Sequence, residues 1–152
     1  MVKIYLNVSC LNRPFDDQTQ ARIQLEANAV TLILKRIDEG LWNQVSSEIA
    51  TIEIGAIDDR ERQARVRMLL PEAKRILELN SLIFARAGEL EKLGFKPADA
   101  LHVAAAEEAG ADALLSCDDR LCRLSQRQRA RLKTRVANPL DWLKEMGDAV
   151  NR

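Results

Sequence analysis

"ADALHVAAAEEAGADALLSCDDRL", residues 98 to 121, holds a helix, a stop, a strand and a polar tip in one unbroken run. Pro97, just before it, suits a first helical turn, where the missing N–H would have had no partner anyway, and Gly110 suits the stop. "ADALLS", residues 111 to 116, is apolar almost throughout, as a strand buried on both faces of a parallel sheet should be. Asp118 and Asp119 follow directly after Cys117. Ligands of open parallel sheets bind beyond the carboxyl ends of the strands, so acids at such a tip are candidates for chemistry.

The rest of the chain repeats this alternation. Short β-rich runs occur at "VKIYL" (2–6), "LWNQVS" (41–46), "KRILEL" (74–79) and "KTRVA" (133–137). "KRILEL" reads equally well as an extension of the helix before it. Ile23, Ala27, Val30, Leu34 and Ile37, three or four apart, predict a helix from near Asp17 to Asp38. Asp16 or Asp17 suits its cap and Gly40 its stop. Ser46 or Ser47 can cap "EIATIEI", with "DDRERQARVRML" continuing helically to Pro71; "NSLIFARAGELEKLG" starts at Asn80 or Ser81 and closes at Gly94; "NPLDWLKEMG" supplies a last helix. Strands separated by helices imply right-handed crossovers and a parallel sheet covered on both faces. The expected fold is a three-layer α/β/α single domain over residues 1–152.

A formal net charge of zero argues against whole-molecule attraction to nucleic acid or membrane, leaving local clusters to provide any such attraction. No apolar run approaches the roughly 18 residues of a membrane span, and no signal-peptide pattern opens the chain, so a cytoplasmic location is expected. Cys10, Cys117 and Cys122, an odd number in no metal-binding spacing, read as free thiols. A single histidine, His102, excludes a multi-histidine zinc site.

Oxygen donors gather where strands end. Asn7 ends the first strand, and Asp118 and Asp119 follow the "DALLS" strand. Glu53 lies about two turns into the helix after the second strand. Asp99 sits in the first turn of the helix leading into "DALLS". Taken singly, each acid has a structural reading, Asp99 as a favourable charge at a helix N-terminus and Asp118 or Asp119 as a cap. Taken together they form an oxygen-rich cluster of the kind that suits Mg²⁺ or Mn²⁺, because clustered carboxylates repel unless a cation neutralises them.

With these residues in order, the chain resembles the PIN-domain family, which includes toxin ribonucleases of VapC type. The resemblance runs from "IYLNVSCLNRPFDD" through "SSEIATIEI" and "PADALHVAAAEEAGADALLSCDDRL" to "RVANPLDWL". It implies a five-stranded parallel sheet and a divalent-metal-dependent ribonuclease site. The family's four acids fall at Asn7, Glu53, Asp99 and Asp118, and Ser9 matches a hydroxyl residue often found just after the first. The strand ending in Asn7 is expected beside the one ending before Asp118. The resemblance also implies RNA as substrate, a small antitoxin protein as partner and a homodimer.

Position 7 departs from that pattern. Aspartate is usual there, and asparagine brings a ligating oxygen without charge, leaving three carboxylates where four are expected. Asp119 is a nearby compensating ligand if its turn points it inward. Two functions therefore stay open, a weakened ribonuclease and a catalytically degenerate PIN domain that binds RNA or protein. From Arg120 to Arg135 every charged residue is basic. Arg120 and Arg123, next to the acids, with Ser9 and Arg13, are the candidate nucleic-acid contacts. His102, three residues after Asp99 and on nearly the same helix face, reads as a structural or supporting group.

Overall fold

The computed structural model describes residues 1–150. Five short strands form one parallel sheet: β1 (Lys3–Leu6), β2 (Asn43–Ser47), β3 (Ile76–Leu77), β4 (Ala113–Leu115) and β5 (Arg135–Ala137). Their spatial order is β3-β2-β1-β4-β5. The first strand thus lies centrally, with Tyr5 opposite Val45 on one side and Leu114 on the other. Chain order reverses at β1, so the sheet's switch point falls between β1 and β4.

Alternation along these strands sorts the core into two layers. Ile4, Leu6 and Leu115 face one side, packing with Val30 and Ile33 of α1 (Ala21–Asp38), Ala50 and Ile54 of α2 (Glu48–Gly55) and Trp142 of α3 (Pro139–Val150). Tyr5, Leu114 and Val136 face the other. There they meet Ile83 and Leu90 of α4 (Ser81–Lys92), Val103 of α5 (Pro97–Glu108) and Leu121 of α6 (Asp119–Arg127). This is the three-layer α/β/α arrangement expected, and "KRILEL" does contribute a strand, though of only two residues.

Caps set where the helices begin and end. Asn80 accepts from the Ile83 N–H at 3.0 Å, and Gly94 ends that helix at φ +107°, a left-handed conformation that glycine adopts without strain. Three expectations fail for local reasons. The helix expected from Asp17 begins at Ala21, because Asp17 closes a turn on the Thr19 N–H and Asp16 is drawn into ion pairs with Arg13 and Arg62. "DDRERQARVRML" does not continue α2. It forms a separate helix, α7 (Arg60–Arg67), because Asp59 accepts from the Glu61 and Arg62 N–H groups and starts a new cap. Third, Val8–Asn12 and Arg13–Phe15 make two short helical turns in a stretch where no helix is expected from the sequence. No described helix is long and apolar enough to cross a membrane.

Leu114 is fully buried in the interior strand β4, between Tyr5 and Val136. Leu114→Ala is expected to cost about 2–5 kcal/mol, read as a lowered urea midpoint with an unchanged slope.

Candidate functional site

The tips of β1 and β4 are tied together by short polar bonds. The Asn7 N–H donates to the Leu115 carbonyl at 2.9 Å, which continues the β1–β4 ladder by one residue. Ser9 reaches back from the turn after β1, and its Oγ accepts from the Cys117 N–H at 3.1 Å. Ser116 Oγ in turn accepts from the Asp118 N–H at 3.1 Å. These hydroxyls hold position 7 and position 118 in fixed relation across the switch point.

Asp99 comes within electrostatic reach of two acids from other segments, Asp118 and Glu53. Asp99, in the first turn of α5, is held above the usual carboxylate range, first by burial and then by the Asp118 carboxylate, with Glu53 adding to the effect. Lys96 pulls it the other way. Asp118 caps α6, its Oδ1 accepting from the Arg120 and Leu121 N–H groups at 2.9 and 3.2 Å. Glu53, on α2, is hydrogen-bonded through Oε1 to His102 Nε2, and its side chain stays 35% exposed. Asn7 is nearly buried, and its Oδ1 accepts from the Ser9 N–H at 3.2 Å.

Asp119 and Arg13 are not brought into this cluster. Asp119 is exposed and held by the Arg22 guanidinium, which keeps its carboxyl below the usual range. The inward turn that would have let it stand in for a charge at position 7 is therefore not made. Arg13 is bound by Glu26 and Asp16 instead of facing solvent beyond the sheet. Arg120 and Arg123 are exposed on α6. A groove of about 890 Å³ runs beside the cluster between α6, β5 and α3; Arg22, Asp119 and Arg123 line it, whereas Asn7, Glu53, Asp99 and Asp118 do not.

The donor set fits a hard divalent cation in kind. It consists of oxygen alone, and Asp99 carries the cost of unneutralised neighbouring charge that a cation would relieve. Among the described residues, however, no three His, Cys, Asp or Glu side chains stand close enough together to hold one. The thiols nearby are structural. Cys10 and Cys117 are buried with sulfurs 3.8 Å apart; burial pushes Cys10 well up, and Cys122 is pushed up to about 12.

The sequence marked His102 as a structural or supporting group but not its link to Glu53, and it passed over Tyr5 and Ser47 as partners. His102 Nδ1 lies 2.7 Å from Tyr5 Oη, and Tyr5 Oη lies 2.7 Å from Ser47 Oγ. Ser47 thus sits at the N-cap of α2 without capping it, because its hydroxyl serves Tyr5 instead. The available signal was a lone tyrosine inside an aliphatic strand and a lone histidine inside an alanine-rich helix.

A family model described as PIN domain matches residues 32–126. That span includes Glu53, Asp99 and Asp118 and stops short of Asn7. No curated protein matches the chain. Among solved structures, the chain is similar to VapBC2 from Rickettsia felis bound to a DNA fragment from their promoter, at 15% identity and TM-score 0.52, covering 90% of this chain and 98% of that one. VapBC-1 from nontypeable Haemophilus influenzae matches at 14% identity and TM-score 0.53, covering 91% and 98%. PAE2754 from Pyrobaculum aerophilum matches at 18% identity and TM-score 0.50, covering 90% and 83%. These likenesses show the fold.

Because the folded chain holds the Asp99 proton more tightly than the unfolded chain does, this carboxyl lowers stability as pH rises through the carboxylate range. In metal-free buffer at pH 7, Asp99→Asn is expected to raise Tm. The gain should vanish below the unfolded carboxylate pKa of about 3.9. A thermal melt series from pH 3 to 7 measures both.

Proposed function

The chain belongs to the PIN-domain family, and on that premise we propose that it is a divalent-metal-dependent endoribonuclease of VapC toxin type, weakened at its first ligand position. The observation that supports this most is Asp99, whose carboxyl is raised by burial and by the nearby Asp118 and Glu53 carboxylates at the switch point of the sheet. Such a concentration of negative charge is costly unless a cation joins it.

In this reading Glu53, Asp99 and Asp118 hold Mg²⁺ or Mn²⁺, with the Asn7 amide oxygen as a neutral fourth donor. The cation, when bound, supplies Lewis-acid activation of the scissile phosphodiester and of a water nucleophile. Such chemistry needs no nucleophilic side chain, which agrees with a chain containing one buried histidine. Ser9 keeps the β1 tip against the Asp118 turn through its bond to the Cys117 N–H. Arg120 and Arg123, exposed and close to Asp118 in the chain, are the proposed contacts to RNA phosphates, giving affinity without sequence choice. Asp119 and Arg13, engaged by Arg22 and by Glu26, leave the ligand and RNA-contact roles to the others. The fold shared with VapBC assemblies supports an antitoxin partner; a homodimer and a cytoplasmic location belong to the same proposal.

One observation favours the second reading, a degenerate PIN domain that binds RNA or protein. Asn7 already has a structural task, accepting the Ser9 N–H at the start of the first helical turn. An amide does this as well as a carboxylate.

Asn7→Asp decides between the two. The added charge is expected to lower the Kd for Mn²⁺ about tenfold or more, since ligand charge is a main determinant of such affinities, and to raise RNA cleavage in parallel. Asp118→Asn in that background should abolish the gain. Equal Mn²⁺ affinity and equal cleavage in wild type and Asn7→Asp would remove position 7 as the limit. No cleavage by either protein would leave the binding module.

A further inference from the structure

Glu53 stands at the end of a buried polar chain that crosses the sheet. Ser47 ends β2, Tyr5 lies in the middle of β1, and His102 is on α5; none of the three is more than 1% exposed. Ser47 Oγ and Tyr5 Oη are 2.7 Å apart, Tyr5 Oη and His102 Nδ1 are 2.7 Å apart, and His102 Nε2 meets Glu53 Oε1. A carboxylate accepts only, so Nε2 must carry the hydrogen. In a neutral ring Nδ1 is then an acceptor, Tyr5 donates to it, and Ser47 donates to Tyr5. Every hydroxyl hydrogen in the chain has one place to go.

We infer that Ser47, Tyr5 and His102 form a directional hydrogen-bond chain that fixes the orientation of the Glu53 carboxylate, with His102 as the positioning residue. The inference rests on the proposed reading of the site for its purpose, but not for its geometry. Oε1 is pinned by His102, which leaves Oε2 for a cation. Burial keeps the Tyr5 phenol well above its ordinary value, so Tyr5 remains a donor across the working pH range. The ring edge of His102 packs on Tyr5 with centroids 5.7 Å apart and planes at 78°, which also restrains the imidazole against rotation. Groups behind a metal ligand in this way commonly change metal affinity or activity by about 10- to 100-fold when removed.

Because His102 is the one histidine, ¹⁵N-histidine labelling reports it alone. In the metal-free full chain near neutral pH, a long-range ¹H–¹⁵N spectrum is expected to show the Nε2–H form. Tyr5→Phe, which keeps the ring and removes the hydroxyl, should leave the Nε2–H form set by Glu53 but shift the Nδ1 resonance, which loses the hydrogen bond it accepts. It should also raise the Kd for Mn²⁺ about tenfold. The same substitution added to Glu53→Gln should change Mn²⁺ affinity no further, and His102→Gln, whose amide can still donate towards Glu53, should recover part of what His102→Ala loses. An imidazole in any other form, or a Tyr5→Phe protein with an unchanged spectrum, overturns the inference. If wild type takes up no Mn²⁺ while the Nε2–H form and its response to Tyr5→Phe are seen, the nuclease reading fails and the chain stands.

Discussion

Parallel pairing of β1 between β2 and β4 is the constraint on which the site depends. It lines up three strand ends, and Asn7, Ser47 and Ser116 fall at or just past them. Side chains alternate with a period of two, so a slip of one residue would exchange Tyr5 with Ile4 or Leu6. The Tyr5 hydroxyl would then enter the apolar layer formed by Val30, Ile33 and Ile54, and Glu53 would lose its buried support. Register is thus enforced from both sides, by the aliphatic residues on one face and by the Tyr5–His102 bond on the other.

The sheet alone does not place the acids. Each reaches the tip through a local device with its own structural reason. Asp118 is there because a carboxylate makes a good helix cap, and Asp99 is there because Pro97 starts α5 two residues earlier. Glu53 is turned by a histidine from the opposite layer. The devices divide the oxygens: Asp118 spends Oδ1 on two backbone N–H groups and Glu53 spends Oε1 on His102, while no described group bonds the second oxygen of either. Local structure and ligand capacity therefore do not compete at these two positions.

Much of this was readable before any coordinates. The apolar run at Ala113–Leu115, the stop at Gly110 and the cap at Asp118 follow from composition and turn chemistry, and the α/β alternation follows from their repetition. What stayed hidden was long-range. Nothing local announces that Arg22 captures Asp119 from 97 residues away, or that Asp16 is taken by Arg62. Both aspartates look like free caps or spare ligands in the sequence because ion pairing across the fold leaves no periodic trace. The same holds for Ser47. Its type and position say helix cap, and only the presence of Tyr5 across the β1–β2 pair redirects its hydroxyl.

Under the proposed nuclease reading, position 7 obeys the same division of oxygens as Asp118 and Glu53. Its Oδ1 is already committed to the Ser9 N–H, as Asp118 Oδ1 is committed to α6. An aspartate would keep that bond and still offer a second charged oxygen. Asparagine offers an NH₂ group in its place, a donor that a cation repels, so only the remaining lone pair of Oδ1 is left for ligation. The loss is therefore larger than one unit of charge, because the atom best placed to ligate has changed its polarity. Fold and helix start are preserved by the substitution, since the cap needs one acceptor only. Under the proposed nuclease reading, asparagine at position 7 therefore acts on cation capture while leaving the architecture around it intact.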